Sequence, residues 1–458
     1  MTPVLRKACL AAILLAAMAS TSSANAQQWT YFGMDIDNRI RAVTVDGSDM
    51  YVGGDFTTIT ADDAMSRIAR WDGTQWHALG QGVDNRVYGI VVVGSNVYVT
   101  GRVTEAYNSD GTAVAVAGVA RWDGTEWHAL GTGLEGPSAT LGFAMVAGGG
   151  IVYVGGSLTA AGGNAVNNIA AWDDAAQSWS AVGGGFTDVV RTLAYDDATD
   201  ALYAGGSFDV VTDGDQFNFI AMWDGFRWNA LGDGLNDTGR TITLTDSYVY
   251  VGGGSGTIPV MARWDGQSWE DLSAGFDDRV DAIIATSDDV LYASGDFTTA
   301  GGVAAAGLAQ FDAGAWSALG SGLDDKAISM KLLNGDVVIG GEFSTVNGEA
   351  SSSLVVYTPA GATAVDADDV PGTFVLEQNY PNPFNPATTI SYAVDAPGMV
   401  ELQVFDLMGR NIATLQNAPQ AAGQYTVRYD AQGLPSGTYI YRLRTGDRAI
   451  TRAMLLSK

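Results

Sequence analysis

Apolar and polar positions run along this chain in short β-like segments punctuated by Gly and Asp. Residues 86–130 show the pattern. Arg86–Val93 alternates or runs apolar and predicts a buried strand, and Asn96–Thr100 predicts the next. Val119–Asp123 follows a loop and Glu126–Leu130 closes the set, with Asp123-Gly124 between them as a hairpin signal. The same sentence stands elsewhere: "RIARWDGTQWHALGQG" precedes "GVARWDGTEWHALGTG" by fifty-one residues.

The repeat has three markers. The second aromatic of each hairpin is Trp29, Trp76, Trp127, Trp179, Trp228, Trp269 and Trp316, at steps of 47, 51, 52, 49, 41 and 47 residues. The first is Trp71, Trp122, Trp172, Trp223 and Trp264, then Phe311 and Tyr357; these two columns hold all 12 tryptophans. A glycine-ended strand lies between them, from "YVGG" at Tyr51 to "VIGG" at Val338. Each marker occurs seven times. Four short antiparallel strands per period of about 40–50 residues make a propeller blade, which buries both faces only in a closed ring. The predicted fold is all-β: a seven-bladed β-propeller over 27–359. The last unit lacks its fourth strand and Trp29–Gly33 precedes any inner strand, so the N-terminal strand is expected to complete blade seven and remove the open edge.

The glycine doublets (Gly53-Gly54, Gly155-Gly156, Gly205-Gly206, Gly340-Gly341) and the aromatic-Asp turn before Trp resemble those of kelch-type propellers and the galactose-oxidase-like family around them. Trp71-Asp72 also resembles the WD40 signature, but the Gly-His element of that family is missing. The resemblance implies a fold and not an activity.

Charge narrows the partners. The chain carries −28; the first 26 residues hold +2 and residues 371–458 hold +1, leaving −31 on 27–370. A field of that sign argues against nucleic acid and anionic membranes. It fits an exported, soluble surface and permits cation binding. Arg6 and Lys7, the apolar run Cys9–Ala19 and Ala24-Asn25-Ala26 read as a signal peptide over 1–26. No segment reaches the roughly 18 apolar residues of a membrane span. Cys9 is the only cysteine, so no disulfide framework is expected after cleavage.

Candidate chemistry is sparse. His77 and His128 occupy equivalent repeat positions, which points to a strand-surface role and not a catalytic pair. No residue is assigned to catalysis or to an organic cofactor, and an enzyme is the less favoured reading. Before most inner strands stands a polar turn: "DIDNRI", "VDNRV", "FTDVVR", "LNDTGR", "FDDRV" and "LDDKA"; only "LEGPSATL" departs. Its aspartates, Asp37, Asp84, Asp188, Asp237, Asp277 and Asp324, are expected near the axis on one face. Two readings stand: Asp–Arg contacts between neighbouring blades, or a carboxylate ring able to hold Ca²⁺. The adjacent cation counts against the metal. The loops after the glycine doublets open on the same face, Val103–Ala117 and Phe208–Phe219 being the longest or most polar, and this face is the candidate ligand surface.

After Tyr357 the composition changes. Residues 360–373 read as a small-residue acidic linker, and 374–458 as a small Ig-like β-sandwich of about seven strands. "NYPNPFNP" (Asn379–Pro386), "VFDLMGR" (Val404–Arg410), "LPSGTYIYRL" (Leu434–Leu443) and a terminal Lys458 resemble the C-terminal sorting domain of proteins exported by the type IX secretion system of Bacteroidetes. The resemblance places the sorting signal on Tyr380, Pro381, Asn382, Pro383, Gly409, Arg410, Gly437, Tyr439 and Lys458. It implies the secretion machinery as partner through 374–458 and a path through the periplasm to the medium or the outer-membrane surface. The functional expectation is a secreted or surface-attached propeller that binds a glycan or a surface protein. The alternatives are a carboxylate-dependent glycosidase or polysaccharide lyase, and a structural surface-layer component.

Overall fold

The structure is a computed structural model. It describes residues 28–457 apart from 33–35, 61–62, 138–140, 210–215, 256–257, 288–289, 360–374, 377–378, 380–381, 383, 395–397, 406–409, 421–422 and 446–447. The expected signal peptide and the linker 360–373 lie outside the described residues. The chain divides into two units, Met1–Ala362 and Thr363–Lys458. No helix among the described residues is long and apolar enough to cross a membrane.

The first unit contains seven four-stranded antiparallel sheets. Their inner strands are Ile40–Asp46, Val87–Val93, Gly142–Gly148, Val190–Asp196, Gly239–Leu244, Val280–Ser287 and Ala327–Leu333. Each packs beside the next, and the seventh packs beside the first, so the ring closes. Gln28–Tyr31 supplies the outer strand of blade 7, pairing Trp29 with Tyr357, and so ties the start of the ring to its end.

The glycine doublets have a steric cause. A Cβ on Gly54 would stand 2.1 Å from the Arg39 carbonyl oxygen, and one on Gly53 would meet Val87 of the next blade at 2.7 Å. The second glycine therefore lets the second strand approach the start of its inner strand. The first lets the neighbouring blade close in.

Opposite each second glycine the inner strand bulges by one residue. The register skips Arg41, Tyr88, Phe143, Arg191, Arg240, Asp281 and Ile328 in blades 1 to 7. A bulge leaves its extra residue out of the pairing and re-aims it. Here the seven extra side chains line the axis.

The outer aromatics join blade to blade. The Trp127 indole donates to the Leu79 carbonyl of the preceding blade at 2.9 Å, and Trp179, Trp228, Trp269 and Trp316 repeat the bond to Leu130, Val182, Leu231 and Leu272. Trp76, which follows the blade closed by the N-terminal strand, keeps a buried indole N–H without a partner among the described residues.

The second unit has three strands in one sheet (Val375–Leu376, Ala387–Val394, Gly423–Asp430). Four stand in the other (Asn411–Gln420, Gly398–Phe405, Gly437–Thr445, Arg448–Leu456). Tyr392, Val400, Leu402, Tyr441 and Leu443 are among the residues of its core.

Candidate functional site at the channel mouth

The six turn aspartates fall into two registers. Asp37 accepts from the Thr57 amide at 2.7 Å, the Thr57 hydroxyl at 2.5 Å and the Thr58 amide at 3.1 Å. Asp84 does the same with Thr104, Asp277 with Thr298 and Thr299, and Asp324 with Ser344 and Thr345. Each of these four clamps its entry turn to the loop after the glycine doublet of its own blade, which puts turns and loops on one face. Asp188 and Asp237 stand one place nearer the strand. They accept from the amides of Val189 and Thr238, and Asp237 also from the Ser255 hydroxyl. Burial pushes Asp37, Asp277, Asp324 and Asp237 up, but hydroxyl and amide donors outweigh it and hold them below the ordinary aspartate value. The six are spread over six blades. Among the described residues no group of three or more His, Cys, Asp or Glu side chains is placed to share a metal ion.

Ionic contacts between blades exist, but other acids make them. The residue after each doublet, or after Thr100-Gly101 and Ser294-Gly295, which replace it in blades 2 and 6, is Asp55, Arg102, Ser157, Ser207, Gly254, Asp296 and Glu342 around the ring. Asp55 holds Arg41 of its own blade (2.7 and 2.8 Å) and stands 3.5 Å from Arg86 of the next. Asp296 pairs with Arg279 at 2.7 Å and with Lys326 of the next blade at 3.3 Å. Glu342 of blade 7 takes Arg39 of blade 1 at 3.2 Å. The acids of this column thus stand on blades 6, 7 and 1 and are absent from blades 2 to 5.

The axis is a cavity of about 660 Å³ lined by all seven inner strands. Six cations line it (Arg41, Arg191, Arg240, Arg279, Lys326, Lys331) against two carboxylates, Asp281 and Glu342. Arg41, Arg279 and Lys326 have the carboxylate partners named above, and Arg279 also holds Asp281 at 3.1 Å. Arg191 and Arg240 do not. Arg191 donates to the Ser207 hydroxyl at 3.0 Å and Arg240 to the Gly254 carbonyl at 2.8 Å, neutral partners that leave both charges in place. Desolvation, then the Arg240 charge, holds Arg191 below the usual arginine range. Desolvation does the same to Arg240, with Arg279 adding to it and Asp281 opposing. Deeper in the channel, Lys331 is exposed to the channel space, and desolvation by the surrounding protein lowers it too.

Two aromatic rings continue the same sector. Tyr88 and Phe143 meet edge to face at 5.7 Å; Arg41 lies 5.1 Å over Tyr88, and Arg191 lies 5.8 Å over Phe143. Consecutive blades 2 to 5 therefore present Tyr88, Phe143, Arg191 and Arg240. Sequence reasoning missed this ring because it depends on the bulge. A trace was there: the cation follows Asp by two residues in Asp37–Arg39, Asp84–Arg86, Asp277–Arg279 and Asp324–Lys326, but by three in Asp188–Arg191 and Asp237–Arg240. With its Asp already one place nearer the strand, the cation moves two places, from just before the inner strand to its bulge.

The histidines sit apart from the channel. His77 and His128 each bond the Asp of their own hairpin turn, Asp72 and Asp123, at 2.6 Å. Of the loops, Val103–Ala117 forms a small hairpin (Glu105–Tyr107 with Ala113–Ala115), while 210–215 of the second loop lies outside the described residues.

In the second unit, the Asn382 carboxamide accepts from the Leu455 amide at 2.7 Å. Phe384 bonds the last strand through the Leu455 carbonyl and the Ser457 amide. Asn379 is buried, with its amide on the Tyr441 hydroxyl and its side chain on Thr388. Tyr439 donates to the Pro435 carbonyl, Gly437 opens the strand that carries it, and Arg410 is exposed with a partner. Tyr380, Pro381, Pro383, Gly409 and Lys458 lie outside the described residues.

Residues 378–457 match the family model of the secretion system C-terminal sorting domain. This is the tail of type IX secretion cargo and marks the chain for export to the cell surface or the medium. No curated protein matches the chain. Among solved structures, the computationally designed Ika8 protein aligns at 15% identity over 72% of this chain and 98% of its own, with a TM-score of 0.43. PorZ, an essential bacterial surface component of the type-IX secretion system of Porphyromonas gingivalis, aligns at 12% identity over 92% of this chain, with a TM-score of 0.36. This chain spans 66% of PorZ, just under two thirds.

Proposed function

We propose that this chain is an exported binding protein whose propeller takes up a glycan or a surface partner on its loop-rich face, centred on the channel mouth. The signal segment would bring it to the periplasm and the tail across the outer membrane. Its glycine doublets would place it with kelch-type propellers. The observation that carries the reading is the placement of an open channel, lined by cations and aromatic rings, within the one face that gathers the entry turns and the post-doublet loops. Rigid scaffolds commonly present ligands with such a loop-rimmed concavity.

A glycan and polysaccharide binding screen on the purified chain, run with Ca²⁺ and again with chelator, tests it. Binding in either condition supports the reading. Loss in chelator would bring Asp37, Asp84, Asp188, Asp237, Asp277 and Asp324 forward as cation ligands. Self-assembly without any ligand, and no binding in either condition, would favour a structural surface layer instead.

A further inference from the structure

The inference drawn here rests on that binding reading and names the ligand class. We propose that Arg191 and Arg240 form an oxyanion-binding pair for an acidic polysaccharide, one whose sugar carries a carboxylate or a sulfate ester, with Phe143 and Tyr88 beside it as an apolar platform for the ring.

The charge pattern is the first support. Two half-buried guanidiniums on adjacent blades repel each other, and among the described residues neither has a carboxylate within ion-pair distance. The nearby turn acids are occupied, Asp188 by the Val189 amide and Asp237 by the Thr238 amide and the Ser255 hydroxyl. Asp281 is engaged by Arg279. An anion between Arg191 and Arg240 removes the repulsion and replaces water on two fork-shaped donors suited to planar or tetrahedral oxyanions.

The contrast within the ring is the second support. Blades 6, 7 and 1 place an acid after the glycine that ends the second strand, and these acids take the cations at the channel mouth, Arg39, Arg41, Arg279 and Lys326; Lys331, deeper in blade 7, has no carboxylate partner among the described residues. Blades 4 and 5 place Ser207 and Gly254 there, so the same strand geometry leaves the arginines free for an incoming group. At the channel mouth the unpaired arginines are confined to one sector. In a chain of net charge −28, that sector is a local positive field focused by the channel walls.

The platform favours a sugar over a peptide carboxylate. Phe143 and Tyr88 follow one another on the ring directly before Arg191, half-buried, edge to face, with Arg191 above Phe143. An amphipathic ring with one acidic substituent matches an aromatic edge standing directly beside a cation pair.

The test is calorimetric titration of the purified full chain with four probes: a galacturonate hexamer, its carboxyl-reduced counterpart, a sulfated galactan oligosaccharide and an oligoglutamate peptide. The same titrations follow on Arg191→Gln/Arg240→Gln and on Arg191→Lys/Arg240→Lys, each checked by its thermal midpoint. The expected result is binding of the uronate or the sulfated sugar, the better one identifying the acid group, with no binding of the reduced hexamer. The Gln pair should weaken it about a hundredfold or more, as loss of two charge-assisted contacts implies. The Lys pair should fall between. Several results would overturn the proposal: equal binding of the hexamer and its reduced form, unchanged affinity in the Gln pair, or an arginine-dependent preference for oligoglutamate. The reduced-sugar comparison needs no variant, so misfolding cannot mask the answer. A neutral glycan bound equally by wild type and the Gln pair would overturn this inference while leaving the surface-binding reading intact. No binding of any probe would count against both.

Discussion

Trp76 and Trp127 stand in the same words, "RWDGTQWHALG" and "RWDGTEWHALG", and differ in what the ring gives their indoles. Trp127 donates to the Leu79 carbonyl at 2.9 Å, whereas the buried Trp76 N–H has no partner among the described residues. Replacing either by Phe removes the same share of ring from the core, worth about 1 kcal/mol in transfer and packing. Trp127→Phe also loses a buried hydrogen bond. The Leu79 carbonyl keeps the Gly82 amide, so the further loss is about 1 kcal/mol and not a full desolvation penalty. Trp76→Phe removes an unsatisfied donor, a relief of about 1 kcal/mol or more that offsets the lost area. The two variants should therefore differ by about 2 kcal/mol. The seven blades span about 330 residues, for which unfolding entropy is about 0.7 kcal/mol per kelvin, so the midpoints should separate by about 3 °C. Scanning calorimetry of the two single variants beside wild type measures this. A Trp76→Phe midpoint that falls as far as that of Trp127→Phe, or further, would refute the hydrogen-bond reasoning and leave ring burial alone as the glue between blades.

Gly54→Ala drives a methyl into the Arg39 carbonyl and should cost about 3 kcal/mol, the upper range for overpacking. Gly73→Ala, at φ +92° with nothing within 4 Å, should cost only about 1 kcal/mol of backbone strain. Urea midpoints of the two variants check the contrast. Asp37, Asp237, Asp277 and Asp324 have folded pKa values below the ordinary 3.8. The stability they contribute is complete above that value and lost as pH falls through the lower folded values, so urea midpoints should drop on acidification below about pH 4. A midpoint that rises there would count against the clamps. Deleting 378–457 should abolish appearance of the chain at the cell surface and in the medium while the propeller still accumulates inside, which fractionation and immunoblotting would show.

The repeat made the architecture legible. Trp columns and glycine doublets recur because every blade meets the same steric demands: a bare Cα against the bulged inner strand, and an indole over the preceding blade. Those demands are local and periodic, so one chain displays them seven times. The phase of the first strand even foretold how the ring closes at Trp29 and Tyr357. The tail was legible for another reason, since its motifs recur as ordered words.

The site was not. The six aspartates looked like one column, yet Asp188 and Asp237 sit a register away from Asp37, Asp84, Asp277 and Asp324. All six serve backbone and hydroxyl donors of their own blades instead of the cations beside them in the sequence. Which charges are neutralised depends on the residue about fifteen places onward on the next strand, or on one in the preceding blade: Asp55 for Arg41 and, from the blade before, for Arg86, but Ser207 for Arg191 and the Gly254 carbonyl for Arg240. Only the closed ring brings residues from seven separate periods to one axis. Only the bulge decides that Arg41, Arg191 and Arg240 face it. A sequence records each residue's neighbours along the chain, and the electrostatics of a channel are set by neighbours around it.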